Sequence, residues 1–296
     1  MARRGVAFLH RTAPLAAAAL IACATAPVAA MQALADGDLG EVHGADGVAF
    51  NLSGFSLSGP LTLTYTAPNG DSLSLENLAL SRSDDPDATF SDPYTLKIVQ
   101  RPGLADAIVL SEPANANGLL KWQFAADWHV DTSSTDLPRF DGGALVISDL
   151  VSKGGSVTLT TPAMPGVEGF AFGIALNLDV GALAFRARGR NDSSEQLQFS
   201  GIHLSAADSN GNLLGTPWAL ADATNQPGIL NAITDADGNS YLHVGIDWPK
   251  NGAAPLAGLV IDNIAFNSAS GNVDLGSSRI GTMQIQYVDI KLKPGP

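Results

Sequence analysis

Cysteine is nearly absent from this chain of 296 residues: Cys23 stands alone. No intramolecular disulfide can form, so the fold depends on its core. Lysine is scarce, with six copies, and charged residues of all kinds make up only 15%. Helix signals almost vanish after Gly47, where a short turn over 217–223 ("PWALADA") is the best remaining candidate. No stretch beyond residue 30 is apolar for long enough to predict a membrane helix. The motifs that announce common chemistries are missing as well. There is no HExxH, no GxSxG elbow and no glycine-rich phosphate loop, and His43, His129, His203 and His243 show no metal-ligand spacing. The residues predict no metal and no cofactor.

What is present begins with an address. Arg3, Arg4 and Arg11 precede an apolar, alanine-rich run from Ala13 to Ala26, and Val28–Ala30 ends it with small residues. This reads as a secretory signal peptide cleaved between Ala30 and Met31. A second reading stays open, because "LIAC" ending at Cys23 resembles the lipobox of bacterial lipoproteins and would make Cys23 a lipidation site. Three of the 16 basic residues and none of the 29 acids fall within residues 1–30, so the remainder carries a net charge of −16. A surface so acidic argues against nucleic acid and against anionic lipid as partners. Periplasm, outer-membrane surface and extracellular medium are the compartments this implies. The expected organisation is a signal peptide (1–30), a short helix and linker (31–47), and one domain (48–296).

That domain reads as all-β. Alternating segments such as "DSLSLENLALS" (71–81), "LLKWQFAADWHV" (119–130), "GALVISDLV" (143–151) and "AGLVIDNIAFN" (257–267) recur. Asn69-Gly70, Asn210-Gly211 and Asp237-Gly238 punctuate them with turn chemistry. One heptamer repeats: "LSGFSLS" (52–58), "LENLALS" (75–81), "FSGIHLS" (199–205), "IDNIAFN" (261–267) and "YVDIKLK" (287–293), with "ISDLVSK" (147–153) as a looser copy. Its first two apolar positions are three residues apart, which breaks strict alternation and predicts a bend. Bends at such spacing predict the corners of a β-solenoid or β-helix, with an antiparallel β-sandwich as the alternative.

Candidate chemistry is sparse. Asp235 and Asp237 in "DADGN", and the related "DSNGN" (208–212), offer clustered oxygens, yet neither completes a calcium loop and both read as exposed turns. Trp122, Phe124 and Trp128 share one strand face, which predicts a buried apolar face with Gln123, Asp127 and His129 turned outward.

The segment "MQALADGDLGEVHGADG" (31–47) resembles the leader of double-glycine bacteriocin precursors. Leu34, Asp38, Leu39, Val42 and the pair Gly44-Ala45 occupy the leader positions. Those leaders are N-terminal, whereas this one follows a signal peptide. A second resemblance fits that order: exported proteins of an uncharacterised proteobacterial group, labelled pilus-system or Fil-type proteins, are similar at both ends. They carry a "MxxLxDxxLxxVxGQxG"-like segment after the signal and a C-terminal part similar to "LGSSRIGTMQIQYVDIKL" (275–292). Ala45 stands where that group has Gln, so cleavage after Ala45 and docking alone are both compatible. The resemblance implies protein partners in an export or surface-assembly system, a cysteine peptidase being one candidate. The function expected is thus a non-enzymatic exported structural or adhesive protein of a pilus-like or cell-surface assembly. The alternatives are a secreted carbohydrate-binding protein or polysaccharide-active β-helix enzyme, and a lipid-anchored periplasmic binding protein.

Overall fold

In the computed structural model, residues 47–292 are described, apart from 51, 53–54, 84–92, 135, 137–138 and 249–253. They contain no helix and eighteen strands. The first six are β1 (Val48–Phe50), β2 (Ser56–Ser58), β3 (Leu63–Thr66), β4 (Ser72–Arg82), β5 (Tyr94–Val99) and β6 (Ala107–Ser111). Next come β7 (Trp122–Asp131), β8 (Arg139–Ser152), β9 (Ser156–Thr160), β10 (Phe170–Leu176), β11 (Leu178–Arg186) and β12 (Gln196–Ala206). The last are β13 (Trp218–Ala221), β14 (Gly228–Thr234), β15 (Ser240–Asp247), β16 (Ala257–Ser268), β17 (Gly271–Met283) and β18 (Tyr287–Leu292).

They form two sheets of nine strands. Sheet 1 runs β1-β5-β6-β9-β10-β14-β15-β18, with β13 also on β10; sheet 2 runs β17-β16-β12-β11-β8-β7-β4-β2, with β3 also on β4. Every pairing between these strands is antiparallel. The chain lays a hairpin in one sheet, crosses to the other, and lays the next. Parallel stacked coils are therefore not what the heptamers build, and the solenoid expectation gives way to two antiparallel sheets, consistent with the sandwich alternative.

Four of the heptamers mark bends, but inside strands, while the copy at 52–58 lies partly outside the described residues. A three-residue step between apolar positions would put the second on the wrong face unless one extra residue is absorbed. In β4 the register against β7 shifts between Glu76 and Ala79, and Asn77 takes φ 52°. In β8 the register against β7 shifts where Trp122 faces Leu150 and Phe124 faces Ile147, and Asp149 has φ 52°. In β12 Gly201 has φ 60°, and β16 shifts against β17 between Ile261 and Ile264. Asn, Asp and Gly are the residues that accept this left-handed conformation most readily. Ile147, Leu183, Phe199 and Ile264 then form one row across four strands, and Leu150, Val180, Ile202 and Ile261 the parallel row beyond the bend. The copy in β18 departs from this: its register against β15 is regular.

One further expectation changes. "PWALADA" is not helical, since Trp218–Ala221 is β13, paired with β10. Asn177 alone separates β10 in sheet 1 from β11 in sheet 2. Asn177 is buried and donates to the carbonyls of Lys153 (3.2 Å) and Gly215 (2.9 Å), which holds that one-residue crossover.

Among the described strands, the ends that lead to the other sheet lie together and the ends that lead into hairpins lie opposite. The buried tryptophans follow this division. At the crossover end Trp122 (9% exposed), Trp218 (5%) and Trp248 are buried. Each indole N–H is satisfied, by Tyr94 Oη (3.2 Å), Pro255 O (2.9 Å) and Leu220 O (3.2 Å) respectively. Trp122 lies in sheet 2 and Tyr94 in sheet 1, so this bond ties the sheets together. At the hairpin end Phe140 (59% exposed) and Phe170 (60%) are open, as are Ile98, Phe185, Phe266 and Leu292.

Candidate functional site

A cleft lies at the hairpin end of sheet 2. It encloses about 650 Å³ between the β4 bulge, the β7–β8 hairpin and the β11–β12 hairpin. That volume is within the range of about 300–1,000 Å³ common for ligand sites. A network centred on Asp127 frames it. Arg190 grips the Asp127 carboxylate through Nε (3.1 Å to Oδ1) and a terminal nitrogen (2.8 Å to Oδ2). Asn77 donates its amide to Oδ2 at 2.9 Å, and Arg190 also donates to the Asn77 carbonyl at 2.9 Å. The bulge residue is thus held at side chain and backbone by a strand and a loop far away in sequence. Burial alone would raise the Asp127 pKa; the Arg190 and Asn77 hydrogen bonds outweigh it and leave the carboxyl below its ordinary range.

His129 is buried beside this frame. Its Nε2 lies 3.0 Å from Asp131 and its Nδ1 3.7 Å from Glu76 Oε2. Asp141 accepts the Gly143 N–H through Oδ1 at 3.0 Å. Gly143 has φ 81°, and a Cβ there would sit 2.0 Å from the Arg186 carbonyl, so only glycine lets the two hairpins meet. The Trp128 indole contributes to the wall. Phe140 meets it edge to face at 5.7 Å, and a Cβ on Gly142 would come within 2.2 Å of the ring. Arg188 is tied to Glu195 at 2.7 Å, whereas Arg139 has no hydrogen-bond or ion-pair partner among the described residues.

A second cluster lies farther along the same sheet. Asp179 receives Lys153 and His203 together, the His203 Nδ1 contact being 2.6 Å, and His203 Nε2 lies 3.5 Å from Asp262. The Asp179 hydrogen bond first, and the charges of Asp179 and Asp262 with it, raise the His203 pKa against the opposing effect of burial. For Asp179, burial opposes ionisation but Lys153 and His203 prevail, and its pKa falls.

The Asx turns are self-contained. Asp208 accepts N–H bonds from Asn210 (2.9 Å) and Asn212 (2.8 Å), and Asp235 accepts from Asp237 (2.9 Å) and Asn239 (2.9 Å). These donors, Asn239 foremost, and the Tyr241 hydroxyl pull the Asp235 pKa down to about 2. Gly70, Gly211 and Gly238 supply the positive φ of their turns. Among the described residues no group of three or more His, Cys, Asp or Glu side chains is placed to hold a metal ion.

Of the aromatic row, Trp122 is buried, Phe124 and Trp128 are half-buried, and Gln123 is exposed. His129, expected to turn outward, is buried by its carboxylate neighbours. Cys23, Ala30, Met31, Leu34, Asp38, Leu39, Val42, Gly44 and Ala45 lie outside the described residues, as does His43. Sequence reasoning missed Arg139, Asp141, Arg188 and Arg190. The signal for the last two was "RARGR" (186–190), three of the ten arginines within five residues. No protein family, curated protein or solved structure matches the chain. Nor is any helix of the described residues long and apolar enough to cross a membrane.

Proposed function

We propose that this chain is a non-enzymatic exported protein of a cell-surface assembly, similar in role to the pilus-system group that its two ends resemble. The two sheets act in this reading as an antiparallel sandwich that presents surfaces rather than performing chemistry. The observation that carries it is β17. This strand has thirteen residues and, among the described residues, pairs with β16 alone, leaving a long open sheet edge of the kind that accepts another strand. The opposite edge of the same sheet is interrupted between β2 and β3 by Gly59-Pro60, and proline blocks edge pairing. Asp127, Asp179, Asp208 and Asp235 are all engaged in holding strands or turns, which also supports a structural role.

Delivery is the direct test. Deleting residues 33–45 should leave the melting temperature of the β domain unchanged and abolish display on intact cells, read by antibody labelling. Unfolding on deletion, or unchanged display, would overturn the recognition role given to Leu34, Asp38, Leu39, Val42, Gly44 and Ala45. N-terminal sequencing of the exported protein should find Met31, or a blocked Cys23 on the lipid-anchored alternative. A second reading, carbohydrate binding, is favoured by one observation: the cleft that combines Trp128 with unengaged polar groups.

A further inference from the structure

We propose that the cleft between the β4 bulge, the β7–β8 hairpin and the β11–β12 hairpin binds a neutral saccharide. This rests on the carbohydrate-binding reading and names its site and ligand class. The groups around the cleft divide into a frame and a set of contacts. Asp127, Arg190 and Asn77 bind one another and fix the walls. Glu76, Arg139, Asp141 and Asn191 line the space with hydrogen-bonding capacity to spare. Glu76 makes only the long approach to His129, Asp141 uses only Oδ1, and Arg139 is exposed and unpaired among the described residues. Carboxylates accept from hydroxyls, while a guanidinium and an amide donate to hydroxyl or ring oxygens. That mixture of planar acceptors and donors suits the vicinal hydroxyls of a sugar.

Trp128 adds the apolar component. Its half-buried indole lines the cleft and is held in place by Phe140 and by the backbone at Gly142, which makes it the aromatic group available to the C–H face of a sugar ring. Charge selects among saccharides. Among the uncommitted side chains Glu76 and Asp141 outweigh Arg139 by one negative charge, and the exported chain carries −16, which together disfavour an acidic glycan. A neutral ring escapes that repulsion.

The test is calorimetric titration of the purified exported protein with mannotriose, cellotriose and maltotriose, with trigalacturonate as the acidic comparator. At least one neutral trisaccharide should saturate with a Kd of about 1 mM or tighter. Arg139→Ala and Asp141→Asn should each weaken it by about tenfold, the loss of one charge-assisted hydrogen bond. Both residues are exposed at the rim, so circular dichroism and melting should match the parent. Lys291→Ala, at the edge of the other sheet, should bind as the parent does. Binding that is unchanged in both rim variants, tighter for trigalacturonate, or absent for every neutral probe would overturn the proposal. Surface delivery is measured on cells and saccharide binding on purified protein, so either can fail without the other.

Discussion

The crossover end and the hairpin end of the sheets are built from strands with the same apolar alternation, yet all three buried tryptophans lie at one of them. At the crossover end three tryptophans are buried with their N–H groups satisfied, and Asn115, Asn177, Gln284 and Gln286 bond the connecting backbone. At the hairpin end equally large side chains, Phe140, Phe170 and Phe266, stand open. What differs is the connections. A crossover must bring both sheets within a few residues of each other, as Asn177 does alone between β10 and β11. A hairpin turns back within its own sheet and brings nothing across. Burial is a consequence of chain path as much as of hydrophobicity.

The sharpest break of this comparison is a pair of truncations. Trp122→Ala should cost about 3–5 kcal/mol, combining lost burial with a cavity. Phe140→Ala should cost less than about 1 kcal/mol, because that ring is mostly in solvent. Urea denaturation of both variants decides it; equal losses would show that the hairpin end is as closed as the other.

The line of bends between the two ends comes next. Gly201→Val puts a β-branched residue at φ 60° and its Cβ 2.3 Å from Asp262 Oδ2, so a loss of about 2–3 kcal/mol is expected. Asn77→Gly accepts the same left-handed conformation. It should change stability by only about 1 kcal/mol, from the lost bond to Asp127. Thermal melts that rank the two the other way would contradict the bend.

Hydrogen exchange sharpens the comparison more gently. Within β12, amides near Leu204 should exchange about tenfold slower than those near Leu197, since local opening starts where packing is thinnest. Uniform protection along the strand would erase the distinction between the ends.

The smallest effect concerns pH. His203 has a raised pKa, so its contribution is full below about 6.5 and is lost as pH rises through the raised value. Asp179 has a lowered pKa, so its contribution holds above about 3.9 and is lost as pH falls through the lowered value. Together they favour a stability maximum between about pH 4 and 6.5. His203→Gln should flatten the alkaline side of the melting profile and spare the acid side; an unchanged alkaline side would remove His203 from this role.

Much of the local structure was legible in the sequence. Asn69-Gly70, Asn210-Gly211 and Asp237-Gly238 are turns because glycine at positive φ and an Asx acceptor are both local chemistry. The heptamers located the bends, as Asn77, Asp149 and Gly201 show, but not what the bends join. Solenoid corner and strand bulge ask the same thing of seven residues. The first part of β17, "GNVDLGSS", escaped notice because its few apolar residues lie among glycines and serines on an edge strand. The cleft was the least legible. Asn77, Asp127 and Arg190 are separated by 50 and 63 residues and meet only because β4, β7, β8 and β11 are neighbours in one sheet.

By itself the sequence determined the all-β character, the turns and the bend positions, because alternation, glycine and Asx chemistry act within a few residues. Only the tertiary structure decided which strands pair, that every pair is antiparallel, and which end of each apolar face is covered. Those outcomes depend on which hairpin lands beside which, a choice among long-range pairings of similar local sequence that no seven-residue pattern specifies.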